Sequence, residues 1–588
     1  MSRAKRKAEQ VDAIRRQSNE VQNHLIDEYS YGKISRRDFI RRGSLAGLAL
    51  PFLGVLAAAC SPEETAVTST AGGAATTAAG PTTTAATATT TPAGPVTVRA
   101  AIPAPAVGIE PVLINDEGGL TMFGQTGQYL VFSDAELNTV PVLAESWEAN
   151  ATNDVWTFNL RQGVTYFDGT EMKAADVVAT FAGIAEGNAG SAFETFGVDP
   201  AKIVAVDDYT VEFTLAQPSG AFPFFVSSDN YNAAILPESF WQSYAEGEYP
   251  KVFAGTGAWM NESYEEGVSA VYVKNENYWG DNSGQPDRLE VTFFANEAEA
   301  VIAFQDDRVD VIPHVSYSGG LALFDDPNAS TQSISTAQHR QLYMDASAPP
   351  FDDKRVRQAM ALMLNRPTLV DGLLGGFGVV GNDHPIWQFF PMYNAEAVPQ
   401  RSEDLAMAQQ LLNDAGYADG FDAPLDTLEF FEMADLAQLV QASAAQLNNV
   451  NIEVRVTDPG TYYQDFWCGF PYEGPCAPGA VNSLGIVNYG HRGVPNVYMG
   501  APLLSDGIWN SSHWVNAAYD DLFAKFTSAP DLDVQRQLSG EIQTLLNDEV
   551  PFIVPYFLDY ISVTKSSFTG LEVTGMGHTN LINSGFTD

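Results

Sequence analysis

Past residue 150 the apolar residues of this chain keep changing period, and that change limits the folds open to it. In "VWTFNL" every second residue is bulky and apolar: Trp156, Phe158, Leu160. "YTVEFTL" repeats the pattern with Tyr209, Val211, Phe213 and Leu215, and "RLEVTFF" with Leu289, Val291 and Phe293. A period of two is a half-buried strand. Elsewhere the period is helical. Asp352 is placed to cap "DKRVRQAMALMLN", whose Val356, Met360, Met363 and Leu364 share a face until Pro367. Ser402 is placed to cap "EDLAMAQQLLNDAG", with Leu405, Gln409 and Leu412 in register and Gly416 at its end. "DLAQLVQASAAQLNN" then leads into the strand "IEVRV". Helix and strand in alternation predict α/β lobes rather than a β sandwich or a helix bundle. At 588 residues the chain exceeds what one core supports. No internal repeat is present.

The first 95 residues have another character. Arg36, Arg37, Arg41 and Arg42 precede a 17-residue apolar run, Gly43 to Ala59, interrupted by Pro51. A spanning helix needs about 20 residues. A basic region, a short apolar region and small residues leading to Cys60 are instead the parts of an export signal. "SRRDFI" resembles the twin-arginine pattern, and "LAAAC" a lipobox, with Ala57 standing where Leu is usual. We therefore expect residues 1–60 to be a twin-arginine lipoprotein signal peptide cut at Cys60. Two acyl chains there would suffice for stable anchoring. Residues 61–95, mostly Ala, Thr, Gly and Pro, lack the bulky apolar residues needed to offset ordering entropy and read as a tether.

Charge and cysteine follow the same division. The chain carries −43, with 11 basic and 6 acidic residues among the first 42, so the remainder holds 19 basic against 67 acidic. A field of that sign repels phosphate backbones and anionic lipid, which argues against nucleic acid as a partner and confines membrane contact to the anchor. A solvated acidic surface, as suits high salt, explains it without any ligand. After Cys60 only Cys468 and Cys476 remain. An extracytoplasmic pair that close favours a disulfide, because two sulfurs with no nearby histidine are an incomplete metal set.

Short catalytic motifs are missing. The seven histidines are scattered, and there is no H-E-x-x-H, nucleophile elbow, P-loop or C-x-x-C. No cofactor or metal is called for. Carboxylates are so numerous that a catalytic pair could be picked anywhere, so their presence argues nothing.

Five segments together resemble the family 5 extracellular solute-binding proteins, the peptide, oligopeptide and nickel receptors of ABC importers. They are "VPVLAESWEANATNDVWTFNLRQGVTYFDGTEMKAADVV" (140–178), "GTGAWMNESYEEGVSAVYVKNENYWG" (255–280), "APPFDDKRVRQAMALMLNRPTLVDGLLGG", "AMAQQLLNDAGYADGF" and "NAAYDDLFAKF". The resemblance implies a two-lobed periplasmic-binding-protein fold with a hinge and an extra subdomain inserted in lobe I. Lobe I would be 96–140, 250–337 and 557–588, the insertion 141–249, and lobe II 338–556. It implies a lipid-anchored, extracytoplasmic and monomeric receptor that takes a peptide or small molecule between its lobes and hands it to permease and ATPase subunits. Trp147, Gly163, Asp168 and Gly169 then read as strand and turn fixtures, the glycines suiting positive φ. Asp307 can hold a left-handed cap.

The ligand is less clear. Peptide-binding relatives place an Asp in a D-Y-x-D-P-like segment to hold the ammonium group. The matching "NYGHRGVPNVYMG" (488–500) has His491, Arg492, Gly493 and Val494 there instead, and Tyr489 just ahead of them is a further candidate contact. Arg492 suits a carboxylate or phosphate, or merely pairs with a neighbouring acid. Trp509 and Trp514 are candidates for an aromatic wall, or for packing; Trp387 and Asn232 are weaker candidates. An exported hydrolase, and a sensor or chaperone on the same scaffold, remain open alternatives at this stage.

Overall fold

The computed structural model describes residues 95–105, 111, 114, 116–187, 198–230, 232–245, 255–468, 476, 484–529 and 531–587. Cys60 and the Arg36–Arg37 pair, like the whole expected signal and tether up to 94, lie outside the described residues.

From the N-terminal side, strand β1 (Thr97–Pro103) and helix α1 (Glu117–Thr126) come first. Strands β2 (Ala144–Ala149), β3 (Val155–Leu160), β4 (Val198–Asp207) and β5 (Thr210–Leu215) form an antiparallel sheet of their own in the order β2-β3-β5-β4. Trp156, Phe158, Val211, Phe213 and Leu215 point inward from it, as their period of two requires. Gly163 and Gly169 turn the chain at φ of 76° and 85°. The sheet does not enclose a core of its own; its apolar face joins the cluster that also holds Val98 and Val291.

The principal sheet continues with β6 (Trp259–Glu265), β7 (Ser269–Lys274), β8 (Arg288–Phe294), β9 (Val311–Val315) and the 16-residue β10 (Ala329–Met344). Beyond β10 come helices α2 (Lys354–Leu362) and α3 (Arg366–Leu373), the short β11 (Gly378–Val380) and α4 (Leu405–Asp414). Next follow β12 (Phe421–Leu428), α5 (Met433–Ala444), β13 (Val450–Thr457), β14 (Leu484–Tyr489) and β15 (Tyr556–Lys565). The order across the sheet is β13-β12-β14-β10-β15-β9-β1-β8-β7-β6, with β11 added beside β15.

Among the described residues one apolar core gathers residues from Ala337 to Leu558, another runs from Val98 to Val311 and adds Val494, Val497, Phe568 and Leu581, and a smaller one holds Ala101, Ile312, Val315, Ile561 and Val563. Strands β10 and β15 join the first of these to the smallest. β10 pairs β15 through Ser335, breaks register, and pairs β14 from His339 onward. Its residues up to Ser335 are exposed or half-buried, while all those from Thr336 are buried. The break therefore sits where the strand passes into the other core.

Several helix ends differ from the sequence reading. Asp353, not Asp352, caps α2, accepting from the Arg355 N–H. Asp404, not Ser402, caps α4. Pro367 does not stop α2, which ends at Leu362; it lies in the first turn of α3, where a missing N–H costs nothing. Gly416 follows α4 at φ 92°, and Asp307 takes φ 57°. A disulfide joins Cys468 to Cys476. No helix among the described residues is long and apolar enough to cross a membrane.

Candidate functional site

The break in β10 is held from both sides. The Ala337 N–H donates to His491 Nδ1 at 2.9 Å, and the Ala337 carbonyl accepts from His339 Nδ1 at 2.8 Å. Burial drives both imidazoles down to about 3, so both are neutral. His491 thereby carries its proton on Nε2, and its ring meets Trp387 edge-on at 6.0 Å.

This anchors a loop. At the end of β14, Tyr489 stacks on His339 at 5.4 Å and stands 6.3 Å from Trp509. Arg492 donates to the His491 carbonyl and reaches Met576 Sδ. The Gly493 N–H donates to Asp229 Oδ2 at 2.8 Å. Val494 and Val497 then bury their side chains in the core that holds β1, and Trp509 touches both cores. The segment that begins in one core thus ends in the other. Asp229 is buried, and desolvation raises its carboxyl to about 6 despite attraction by Arg492. Inside the segment, Asn496 is 1% exposed with neither amide atom bonded, and the Trp509 and Trp387 indole N–H groups also lack partners.

Of the residues singled out from sequence, Tyr489, His491, Arg492, Trp387 and Trp509 meet around the end of β14. Trp514 lies apart, packed on Tyr519 at 5.4 Å within the same core as Tyr489, its carbonyl accepting from Asn510. Asn232 is turned to the segment before α1, donating to the carbonyls of Pro111 and Ile114.

A small cavity of about 20 Å³ opens beside this cluster. It forms where β15 changes its edge partner. Residues 556–558 pair with β11, residues 561–564 pair with β9, and the opening lies between. Val315 to Ser318 bound it on one side, Leu373, Leu374 and Phe377 on the other. Gln338, from the break in β10, and Phe431 and Glu432, ahead of α5, complete it. Sequence reasoning named none of these residues.

Buried charge surrounds the pocket. Arg340, fully buried, pairs with Glu432 through Nε at 2.8 Å and Nη2 at 2.9 Å, and Tyr556 donates to the same carboxylate at 2.9 Å. Glu117, at the start of α1, accepts from His314 Nδ1 at 2.7 Å and from the Tyr560 hydroxyl at 3.2 Å. The His314 ring stacks on Tyr560 at 4.0 Å and meets Phe431 edge-on at 5.3 Å. Phe431 itself is held at φ 44°, an unfavourable backbone for a bulky residue. No cluster of three or more metal-ligating side chains occurs among the described residues.

The arrangement offers a place to bind a ligand. Comparison with known proteins agrees. The family described as bacterial extracellular solute-binding proteins, family 5 Middle, matches residues 138–467. The chain is 24% identical over 474 residues to di/tripeptide-binding protein 1 of Pseudomonas aeruginosa, covering 74% of this chain and 83% of that one. With the glutathione-binding protein of Escherichia coli the identity is 23% over 475 residues, 79% of this chain and 90% of that one. Among solved structures, the dipeptide-binding protein from Pseudoalteromonas sp. SM9913 in complex with Met-Leu superposes with a TM-score of 0.70. Its identity is 18%, and the match covers 84% of this chain and 100% of that one. The Escherichia coli murein tripeptide binding protein gives 0.70 at 18% identity, covering 84% and 99%. The fold is that of the two-lobed periplasmic binding proteins.

Proposed function

The chain belongs to the bacterial extracellular solute-binding proteins of family 5, and from that premise we propose that it is the extracytoplasmic substrate-binding component of an ABC importer. A small solute, peptide or related organic molecule, is taken between the cores joined by β10 and β15 and delivered to the permease and its ATPase. The observation that carries this reading is the small cavity at the break of β10, walled by Leu373, Leu374 and Leu558 of one core and by Val315 and Ile561 of the smaller core that β15 joins to it. A ligand there stabilises the closed form only by the difference in its affinity for the two forms, and a site shared by two bodies supplies that difference. The lobe boundaries are those given above: 96–140, 250–337 and 557–588 for lobe I, 141–249 for the insertion, 338–556 for lobe II.

The ligand departs from an ordinary peptide at one point. Val494, where peptide-binding relatives present an acid, is buried in the apolar core. The test is a thermal-shift and calorimetric screen over peptides, amino-acid derivatives, oligosaccharides and Ni²⁺. A ligand at 100 times its Kd stabilises by about 2.7 kcal/mol, an easily read rise in melting temperature. Absence of any hit, or turnover of a hit into products, overturns the receptor reading. The anchor is tested separately by fatty-acid labelling of wild type and Cys60→Ser; equal incorporation refutes it. An unchanged export on Arg36→Lys/Arg37→Lys refutes the twin-arginine route.

A further inference from the structure

The loop after β14 is docked against residues far from it in the chain. Its Gly493 N–H donates to Asp229 Oδ2 at 2.8 Å, and Arg492 reaches Met576 Sδ at 3.5 Å. A Cβ added at Gly493 would stand 2.1 Å from Asp229 Oδ2 and 2.8 Å from the Phe224 ring. One added at Gly575 would stand 2.8 Å from the His491 ring. Two glycines thus let the two sides touch, and a side chain at either position would hold them apart. By the boundaries proposed above, Asp229 and residues 575–576 stand with lobe I and its insertion, and the loop stands with lobe II.

Each side is fixed by its own bonds. The Ser133 N–H donates to Ser228 Oγ at 2.9 Å, the Ser228 N–H to the Val131 carbonyl at 3.1 Å, and His578 Nε2 to the Ser228 carbonyl at 2.8 Å. Asn230 Nδ2 donates to the Phe225 carbonyl at 3.0 Å. On the loop side, the Tyr498 hydroxyl donates to the Gly490 carbonyl at 2.6 Å, and His491 Nδ1 takes the Ala337 N–H. The joint between them can part without unravelling either side. Asp229, 6% exposed, lies in that joint and regains water when it parts.

The groups facing Asp229 are Arg492 and Tyr498 from the loop and Ser133 from residues 131–133. Arg492 attracts the ionised carboxylate, but desolvation opposes it more and raises the carboxyl from 3.8 to about 6. Burial keeps the Tyr498 phenol neutral, and it holds His491 at about 3 and His578 at about 4. Neither imidazole therefore changes charge on the way from mildly acid to neutral medium.

We propose that docking of this loop takes up a proton from solvent at Asp229, making the contact a latch between the lobes that holds in mildly acid medium and loosens toward neutral pH. The proposal rests on the receptor reading, in which the two sides move, and adds a proton to the solute as an occupant of the closed form. Between pH 4 and 6 the docked form binds more protons than the parted one, so the docked-to-parted ratio falls as pH rises. With 3.8 for the parted carboxyl and about 6 for the docked one, the fall between pH 5 and 7.5 is about tenfold. A solute that favours the closed form is then held more tightly in acid than at neutrality.

The test is hydrogen–deuterium exchange of the unliganded whole protein at pH 5 and 7.5, corrected for the intrinsic pH dependence of amide exchange. Small-angle X-ray scattering supplies the radius of gyration at the same two values. Asp229→Asn keeps an acceptor for the Gly493 N–H and carries no charge. Protection of the peptide 488–500 should fall about tenfold more in wild type than in this variant. The radius should grow with pH in wild type relative to Asp229→Asn, with circular dichroism unchanged. Gly493→Ala, which cannot dock, should leave the peptide unprotected at both pH values, and it serves as the reference if Asp229→Asn fails to fold. Parallel profiles in wild type and the reference overturn the latch. So does exchange of 488–500 no faster than that of the β10–β15 pairing, because the contact would then open only with the whole fold. The receptor reading survives either result; it is judged by the solute screen and fails there if no solute binds, whatever the exchange shows.

Discussion

Replacing Asp229 by Asn isolates a charge that the contact between these two cores buries. Asp229 is 6% exposed and hydrogen-bonded to the Gly493 N–H. Burial raises its carboxyl from 3.8 to about 6. The difference, 2.2 pH units at about 1.36 kcal/mol each, makes the ionised group cost ~3 kcal/mol in the folded state relative to the unfolded one. Between roughly pH 4 and 6 the folded chain binds more protons than the unfolded chain, so stability falls as pH rises through that window. Below pH 4 the group is protonated in both states and the penalty is absent; above pH 6 it is present in full. Arg492 offsets part of it and Tyr498 and Ser133 face the same carboxyl, so these contributions are already contained in the shifted value.

Asn keeps an amide oxygen for the Gly493 N–H and carries no charge at any pH. The stability of Asp229→Asn minus that of wild type is therefore expected to rise by ~3 kcal/mol between pH 4 and pH 7, about 150-fold in the unfolding equilibrium. The absolute offset between the two proteins is immaterial; the slope carries the claim. Urea titrations at half-unit pH steps, at fixed salt and followed by tryptophan emission, measure it. With 73 acidic residues both proteins will show strong pH dependence, and only the difference is diagnostic. Parallel profiles would refute the assignment of a desolvated, ionised Asp229.

Three further variants test the buried ion pair and the cross-link. Glu432→Gln leaves Arg340 charged and fully buried and should cost about 3–5 kcal/mol, read as a fall in melting temperature. The double change Arg340→Met/Glu432→Leu should recover most of that loss, and failure to recover would mean that the pair acts through more than its charge. Cys468→Ser/Cys476→Ser opens a short closed loop and should lower stability by roughly 2–3 kcal/mol on the chain-entropy account. An unchanged melting temperature there would show that the cross-link restrains little in the unfolded chain.

What the sequence disclosed follows the range of the interactions involved. The strands at 155–160, 210–215 and 288–294 were legible because alternation reports on the two faces of one strand, a local property. Helix existence was equally local, yet the caps were displaced by one or two residues. Asp352 and Asp353 are adjacent acids, and only backbone geometry decides which of them accepts from the Arg355 N–H. Pro367 was ambiguous for the same reason, since it ends one helix or begins another depending on where the preceding turn breaks.

The site divides along the same line. The loop from Tyr489 to Val497 could be found because its residues are contiguous and resemble a family segment. His314, Glu117 and Tyr560 could not, for they meet across 197 and 443 residues of chain. Gln338 is one polar residue among several in a strand; its importance comes from standing at the place where β10 leaves β15 for β14. The absence of an acid at Val494 is visible in one dimension; that its side chain is buried in the core holding β1 is not. Val494→Asp should consequently damage closure, through a charge forced into the apolar core, rather than restore peptide recognition. Recovery of tight tripeptide binding in that variant, with melting temperature unchanged, would show that the loop and the pocket are independent.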